Sequence, residues 1–173
     1  TMMALAPLAK LSEIRSVVAS TYQAVSGAGK AGLDELSEEM KDLASDKPVH
    51  PSVFHDQIAC NVLAEIGEYQ KSGFTSEEMK MQNEGRKILH LPFMKVDCTC
   101  VRVPVMRSHS ISVQAVFEKH ISVKDAEKAI SEFDGDVLCE TELPTPLKTS
   151  NQDRVFVGRI RQSLISENGL VLW

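Results

Sequence analysis

The sequence is poor in glycine, proline and aromatic residues, and it has no long apolar run. Its 173 residues include 9 Gly and 7 Pro, and Phe, Trp and Tyr together make up 5%. This composition excludes a collagen-like chain, and a hydrophobic share of 43% excludes intrinsic disorder. No stretch approaches the roughly 18 consecutive apolar residues of a membrane helix, so we expect no membrane span. A chain of this length buries about two thirds of its unfolded surface, and its fold requires neither disulfide nor metal.

Positive charge is also in deficit. Lys and Arg number 19 against 24 Asp and Glu, which gives a net charge of −5. A nucleic-acid-binding protein normally carries a basic excess, so no nucleic-acid partner is expected. The first dozen residues lack the basic start and cleavage site of a secretory signal, which indicates a cytoplasmic protein, or a plastid one if the source is a plant or alga.

Cysteine is sparse and has no metal-binding spacing. The four residues are Cys60, Cys98, Cys100 and Cys139, and a reducing compartment would keep them as free thiols. Cys98 and Cys100 resemble half of a zinc site, but no second Cys or His pair stands at zinc spacing. We therefore interpret both as small apolar residues on one face of a strand, and we expect no metal.

Apolar periodicity predicts a mixture of helices and strands. A helix-permissive segment covers residues 3–11, apolar stripes mark residues 33–43 and 123–133, and a capping box at Thr75 and Glu78 begins a helix that runs to about residue 89. Strand patterns cover residues 16–20, 97–105, 111–117, 154–161 and 169–173. This order predicts an α+β fold with a mixed, largely antiparallel sheet and helices on one face.

Two basic residues lie where chemistry is plausible. His109 stands in a loop between two strand patterns, where either a general acid–base group or an ordinary surface histidine fits. Arg102 shares a strand face with Cys98 and Cys100, and its permanent charge requires an anion. Either a ligand carboxylate or a structural Asp or Glu satisfies that requirement.

Two further segments can be interpreted as either structural or functional. Glu77 and Lys80, three residues apart in the first turn of the capped helix, commonly form a solvated ion pair. A lysine there also fits an anion docked at the helix N-terminus, because the dipole favours negative charge. The small-residue loop 26–29 would let a cofactor approach the backbone closely, although such a loop alone is weak support.

Four segments, in this order, resemble aspartate-semialdehyde dehydrogenase. They are STYQAVSGAG at residues 20–29, EEMKM at 77–81, CVRVPV at 100–105 followed by His109-Ser110, and FVGRIR at 156–161. The resemblance covers nearly the whole chain. It implies an oxidoreductase that reversibly converts aspartyl 4-phosphate and NADPH into aspartate 4-semialdehyde, phosphate and NADP, on the route to lysine, threonine and methionine.

The resemblance also implies the roles of the substrate-contacting residues. By motif position, His109 matches the general acid–base group and Arg102 matches the clamp on the substrate α-carboxylate. Gln23 matches the glutamine that orients the substrate carbonyl, which makes it both catalytic and substrate-binding. Glu77 would meet the substrate amino group and Lys80 the phosphate.

For the cofactor and the domain organisation, the resemblance implies a chain that is part of a larger enzyme. Ser26 and Gly27 would touch NADP near the nicotinamide, while a Rossmann domain absent from this chain would bind most of the cofactor. Residues 1–173 would form a single substrate-binding and dimerisation domain, with a fold like the C-terminal domain of glyceraldehyde-3-phosphate dehydrogenase. The family's nucleophilic cysteine, in an Asn-Cys motif, would fall just before Thr1, so the isolated chain is predicted to be inactive.

The quaternary prediction concerns the sheet face that the helices leave open. Arg159 and Arg161 would lie there beside Ser112 and Gln114, and the same face of a second subunit would cover them in a homodimer. The alternative function is a non-catalytic homologue retained as a dimeric binding scaffold. An Asn-Cys motif encoded just before Thr1 would favour the enzyme, and a start codon there would favour the scaffold.

Overall fold

A computed structural model describes residues 1–140 and 142–173. The helices are α1 (Met2–Ala9), α2 (Gly29–Ala44), α3 (Ser76–Leu89), α4 (Val123–Ser131) and α5 (Pro146–Thr149), and a 3-10 helix, Val25–Ala28, directly precedes α2. The strands are β1 (Ile14–Gln23), β2 (Lys95–Arg102), β3 (Ser110–Phe117), β4 (Val137–Cys139), β5 (Val155–Val157), β6 (Arg161–Gln162) and β7 (Gly169–Leu172). In this part of the chain, no helix is long and apolar enough to cross a membrane.

The described strands form a larger, mixed sheet and a small one. The larger sheet has the order β2-β1-β3-β7-β6, in which β1 and β2 are parallel and the other neighbours are antiparallel. Strands β4 and β5 form a separate parallel pair. The predicted α+β fold with a largely antiparallel mixed sheet is confirmed.

The main core lies against one face of the larger sheet. Along β3, Val113, Ala115 and Phe117 are buried, and the residues between them are only half-buried. This alternation is expected of a strand with one covered face. Helices α1 and α4 contribute Leu5 and Ile130, both fully buried, to the same cluster. The covered face is therefore the helix-bearing one, as predicted.

The opposite face of the larger sheet is solvent-accessible in the described part of the chain. On β1, Val18 is 55% exposed and Tyr22 is 41% exposed. The strand register aligns one row across all the strands of this sheet, through Asp97, Val18, Gln114, Val171 and Arg161. In the described part of the chain, the helices leave this row uncovered, with a carboxylate at one end, a guanidinium at the other, and Val18, Gln114 and Val171 between them.

Helix α2 differs from the prediction in what it covers. The stripe at residues 33–43 predicts a helix that packs on the sheet, but α2 packs in a separate apolar cluster. Met40 and Leu43 are exposed, whereas Glu35 and Glu39 are buried. Both carboxylates accept backbone hydrogen bonds from the loop after α2, and these hydrogen bonds hold them in the interior of the protein. The buried face of α2 is consequently rotated away from its apolar stripe.

The prediction of one strand over residues 154–161 is wrong. Strand β5 belongs to the small sheet and β6 to the larger one. Between them, Arg159 has a φ of 53°, in the left-handed region that ends an extended strand. Gly158 there exchanges backbone hydrogen bonds of 2.8 and 2.9 Å with Trp173. The chain thus passes from one sheet to the other within a few residues.

Helix α3 begins at the predicted capping box. The Thr75 side chain accepts the Glu78 N–H, and the Glu78 carboxylate accepts the Thr75 N–H at 2.8 Å. The same carboxylate also accepts the N–H of Cys100 in β2 at 3.1 Å. The cap therefore fixes the first turn of α3, with Glu77 and Lys80, relative to the sheet.

Replacing Thr75 with alanine should remove half of this capping box. We expect the free energy of unfolding to fall by about 0.5–2 kcal/mol, the usual cost of a lost N-cap. Urea denaturation of Thr75→Ala measures the change. Ser37→Ala is the matched control, because Ser37 donates to Leu33 within α2 and caps no helix end. Equal losses in the two variants would contradict the capping role.

Candidate active site

The carboxyl ends of β1 and β2 lie side by side because these strands are parallel and in register. Gln23, the last residue of β1, pairs with Arg102, the last residue of β2. His109 directly precedes β3, which flanks β1 on its other side. The sheet therefore brings together, at one end of its central strands, three residues that are distant in the sequence.

The backbone of Ala24 connects two of these side chains. Its N–H donates to Nδ1 of His109 at 3.0 Å, and its carbonyl accepts from Nη1 of Arg102 at 2.8 Å. Ala24 is fully buried, so neither hydrogen bond competes with bulk water. One peptide segment thus sets the positions of the imidazole and the guanidinium relative to each other.

Arg102 is a buried cation at this site. The residue is 7% exposed, and burial lowers the pKa of its guanidinium while the negative charge of Glu77 acts in the opposite direction. The ion pairs within 4.0 Å in the described part of the chain do not include Arg102. Of the two anions considered from the sequence, a structural carboxylate in direct contact is therefore not observed.

Gly27 leaves the space that the guanidinium needs. A Cβ added to Gly27 would lie 2.7 Å from Nη1 of Arg102 and 3.5 Å from Nε2 of His109. The side chains of Arg102 and His109 therefore both lie next to the position that a Cβ of residue 27 would occupy. A residue with a side chain at this position would displace the tip of Arg102.

The hydrogen bond from Ala24 determines which nitrogen of His109 carries the proton. Since Nδ1 accepts, the neutral imidazole bears its hydrogen on Nε2. The ring stays accessible to solvent, but partial burial lowers its pKa, and the nearby Arg102 charge lowers it further. His109 is consequently neutral at pH 7 and presents an Nε2–H donor.

The residue before His109 adopts a conformation that favours glycine. Ser108 has a φ of 73°, in the left-handed region that is uncommon for residues with a Cβ. Its hydroxyl is hydrogen-bonded to the hydroxyl of Thr149 in α5 at 2.6 Å. This contact helps to hold the turn that directs His109 toward Ala24.

Gln23 and the first turn of α3 form the polar part of the site. The hydroxyl of Thr21 donates to Oε1 of Gln23 at 2.9 Å, and Nε2 of Gln23 reaches Oε1 of Glu77 only at 3.5 Å. Glu77 pairs with Lys80 at 3.1 Å and raises the pKa of this exposed amine. The predicted solvated pair is therefore present, and it lies next to a buried amide.

These groups line a cavity of about 240 Å³. The lining residues are Thr1, Met2, Thr21, Gln23, Glu77, Lys80, Met81, Glu84, Gly85, Ile88, Cys100, His109 and Ile111. A second cavity of about 310 Å³ shares Thr1, His109 and Ile111 with it. His109 therefore lies between two spaces, and four of the residues chosen from the sequence line the first.

The other residues chosen from the sequence, Arg102, Ser26 and Gly27, do not line this cavity. Arg102 lies beside it, behind Gly27 and against Ala24. Ser26 lines a different cavity, together with Lys30 and Arg107.

Sequence reasoning missed the residues that act through the backbone or through strand register. Ala24 has no functional group in its side chain. Only the folded structure, in which β1 pairs with β2, shows that its backbone lies between His109 and Arg102. Thr21 and Cys100 line the cavity because they share the covered face of the sheet with Gln23. The alternation along β1 places Thr21 on the same face as Gln23, but only the register with β2 shows that Cys100 lies beside Thr21.

Comparison with known proteins relates this geometry to one family. The model of the family described as "Semialdehyde dehydrogenase, dimerisation domain" matches residues 5–173. The aspartate-semialdehyde dehydrogenase of Rickettsia typhi is 41% identical over 174 residues, which covers 98% of this chain and 51% of that protein. The chain thus spans about half the length of the curated relatives it matches.

Solved structures give the same relation. Aspartate semialdehyde dehydrogenase II from Vibrio cholerae, complexed with ASA, superposes with a TM-score of 0.94 at 35% identity, covering 98% of this chain and 51% of that one. Aspartate semialdehyde dehydrogenase with NADP from Candida albicans has a TM-score of 0.67 at 23% identity, covering 98% and 48%, and shares the fold alone.

The electrostatics of the site predict an acidic shift for His109. We expect its imidazole to titrate below the ordinary value of 6.5, because burial and Arg102 both disfavour the charged form. Stability contributed by neutral His109 should be present above pH 6.5 and decline as the pH falls below it. NMR titration of the His109 ring protons measures the pKa, and Arg102→Leu should raise it. A pKa above 6.5 in the wild type would contradict this assignment.

Proposed function

Because the chain belongs to the semialdehyde dehydrogenase dimerisation-domain family, we propose that it is the substrate-binding and dimerisation part of an aspartate-semialdehyde dehydrogenase. The intact enzyme would reduce aspartyl 4-phosphate to aspartate 4-semialdehyde with NADPH, in lysine, threonine and methionine biosynthesis. The observation that carries the proposal is the buried Arg102, held beside His109 by Ala24 and paired with no carboxylate among the described residues.

Arg102 binds the substrate α-carboxylate in this proposal. A buried guanidinium with unused N–H groups suits a carboxylate, which can accept two parallel hydrogen bonds from it. The Ala24 carbonyl takes one donor and fixes the plane of the group. The guanidinium and His109 border the same point above Gly27, so a carboxylate bound there lies close to the reacting carbonyl.

Glu77 and Lys80 bind the two other charged groups of the substrate. The carboxylate of Glu77 suits the substrate ammonium, and the amine of Lys80 suits the phosphate that enters or leaves. Their pair, 3.1 Å long and open to solvent, exchanges its mutual contact for contacts to the ligand at little cost. Together with Arg102, they match a ligand that carries a carboxylate, an ammonium and a phosphate.

Gln23 orients the substrate carbonyl through its amide nitrogen. The Thr21 hydroxyl occupies Oε1 of Gln23, which leaves Nε2 as the group available to a ligand. The contact of Nε2 with Glu77 is long, at 3.5 Å, so this donor is only weakly used within the chain. A substrate carbonyl oxygen is a suitable acceptor for it.

His109 supplies the proton transfer. The Ala24 N–H occupies Nδ1, so Nε2 is the nitrogen that exchanges a proton with the oxygen that becomes negative as the carbonyl carbon turns tetrahedral. In the reducing direction the imidazolium gives its Nε2 proton to that oxygen and becomes neutral imidazole, and in the reverse direction neutral imidazole takes the proton back at Nε2. The lowered pKa makes the imidazolium a stronger acid, which favours proton transfer to the oxygen.

The nucleophile of the reaction lies outside residues 1–173 in this proposal. Cys100 lines the cavity, but it is buried, and its thiol is hydrogen-bonded to that of Cys98 at 3.7 Å. A thiol held in this way on the core face of β2 is not free to attack a substrate carbon. The length of the relatives, about twice that of this chain, supports a further domain that carries the nucleophile.

NADP is the proposed cofactor, and this chain contributes little to its binding. Gly27 fits it, because a backbone without a side chain next to Nε2 of His109 allows a planar ring to approach. Ser26 would extend this contact from the neighbouring cavity. The bound nicotinamide would supply or accept the hydride. The structure from Candida albicans, which shares this fold, is described with NADP.

Substitutions of His109 and Arg102 in the intact enzyme should separate their roles. We expect His109→Asn to lower kcat by about 10²–10⁴-fold with a small change in KM, because it removes a proton donor needed in the transition state. Arg102→Leu should mainly raise KM for aspartate semialdehyde. Steady-state kinetics measures both parameters, and Arg15→Leu, with an exposed arginine paired to Glu118, is the control. The reverse pattern in the two variants would refute both assignments.

We further propose that two copies of the chain pair through the open face of the larger sheet. An isologous contact about a two-fold axis covers both faces at once, and the exposed side chains of Val18 and Tyr22 on this face support it. Asp97 and Arg161, at opposite ends of one row, supply complementary charges when the partner's row lies reversed on it. An obligate interface of this kind buries about 2,000 Å² or more in total.

A glutamate in the centre of this face should dissociate the dimer. Val18→Glu places two like charges near the two-fold axis, but within one subunit it adds only an exposed side chain. We expect light scattering at micromolar concentration to report a dimer for the wild type and a monomer for Val18→Glu. Val62→Glu is the matched control, since Val62 is 62% exposed and lies outside the sheet. A wild-type monomer would refute the interface.

A further inference from the structure

The loop after α2 places one aromatic ring against the guanidinium of Arg102. The ring of Phe54 lies 5.8 Å from Cζ of Arg102, within the range of a cation–π contact. Phe54 is half-buried, while its neighbours Val53 and His55 are exposed. In this stretch of the loop, Phe54 is therefore the residue that turns inward.

A single buried carboxylate holds that stretch of loop. Glu35, on α2 and 6% exposed, accepts hydrogen bonds from the N–H and hydroxyl of Ser52 and from the N–H groups of Val53 and Phe54. Burial alone would raise the pKa of Glu35, but these four donors outweigh it and lower the pKa. Glu35 is therefore an ionised anchor at neutral pH, and the last donor it holds is the backbone of Phe54 itself.

The ring of Phe54 also lies close to α2 at Gly32. A Cβ added to Gly32 would lie 2.6 Å from the carbonyl oxygen of Val25, 2.9 Å from Cβ of Ala28 and 3.2 Å from Cζ of Phe54. Glycine in a helix interior costs about 1 kcal/mol relative to alanine, and here it permits close packing, above all on Val25. Phe54 thus lies between Arg102 and a point of α2 that has no side chain.

We propose that Phe54 is a positioning residue, and that the Glu35-anchored loop holds its ring against Arg102 so that the guanidinium keeps the orientation in which it binds the substrate carboxylate. The Ala24 carbonyl fixes one edge of the guanidinium, Gly27 leaves room at its tip, and Phe54 limits its movement on a third side. This inference rests on the proposed role of Arg102. It assigns a task to the loop after α2 and to its buried glutamate.

The test separates the aromatic face from ordinary apolar packing. Phe54→Leu keeps an apolar side chain in the cluster around Leu36 but removes the ring face. In the intact enzyme, we expect KM for aspartate semialdehyde to rise roughly 2- to 30-fold, the range of one cation–π contact, with kcat changed by less than about 2-fold. Phe54→Tyr retains the ring face and should restore the wild-type KM.

Matched variants distinguish this role from a general loss of structure. Phe93→Leu removes a ring that is 84% exposed and should change neither parameter. Glu35→Gln acts on the loop without altering the ring, and it should raise KM in the same direction. Wild-type KM in Phe54→Leu, while Arg102→Leu still raises KM, overturns the positioning role and leaves the proposed function standing.

An NMR titration of His109 tests the positioning role without depending on enzyme activity. Arg102 lowers the pKa of His109, so a guanidinium released by Phe54→Leu should let the His109 pKa rise toward its ordinary value in an NMR titration. If Arg102→Leu leaves KM unchanged, the carboxylate-binding function fails, and the titration alone decides on Phe54. A shifted titration then supports positioning of Arg102 by the ring, and an unshifted one overturns it.

Discussion

The hydrogen bonds of one backbone residue, Ala24, determine the geometry of the candidate site. Its N–H orients His109 and its carbonyl orients Arg102. Ala24 directly follows β1, which has a parallel neighbour on one side and an antiparallel neighbour on the other. The end of β1 therefore moves only if both neighbours move. A buried backbone group is also a rigid partner, because it loses no side-chain entropy on binding. The proposed acid and the proposed clamp are thus held by the sheet itself.

The two faces of the larger sheet separate two tasks. The covered face continues into the site, where Gln23 and Arg102 occupy the positions that buried apolar residues hold further back along β1 and β2. The open face carries Val18 and the charged ends of its row, and it is the surface proposed for a second copy. Because successive residues of a strand point to opposite faces, one strand serves both purposes without conflict.

The pKa of His109 at the site depends more on burial than on ion pairing. Burial lowers the pKa of His109, and the nearby Arg102 acts in the same direction. The buried carboxylate of Glu35 shows the opposite balance, because hydrogen bonds to its charged form outweigh burial. A cation without a carboxylate partner among the described residues, beside a histidine of lowered pKa, suits an anionic substrate that exchanges a proton with that histidine. The same groups would be a poor structural network, since an unpaired buried charge destabilises the fold.

Local patterns in the sequence predicted the elements whose cause is local. The capping box at Thr75 and the alternation along β3 act between residues a few positions apart, so the start of α3 and the buried face of β3 follow from them directly. The four family segments identified the candidate residues Gln23, Glu77, Arg102 and His109, because side-chain chemistry and spacing are written in the sequence.

Tertiary structure alone decided what depends on strand register and on hydrogen bonds over long sequence separations. The left-handed Arg159 divides an apparently continuous strand, and backbone donors from the loop after α2 hold Glu35 in the interior where the stripe of α2 predicts exposure. The role of Ala24 in orienting His109 and Arg102 could also not be predicted from the sequence, because its backbone N–H and carbonyl perform it and every residue except proline has both groups. Its role exists only once parallel pairing has set Arg102 opposite the end of β1.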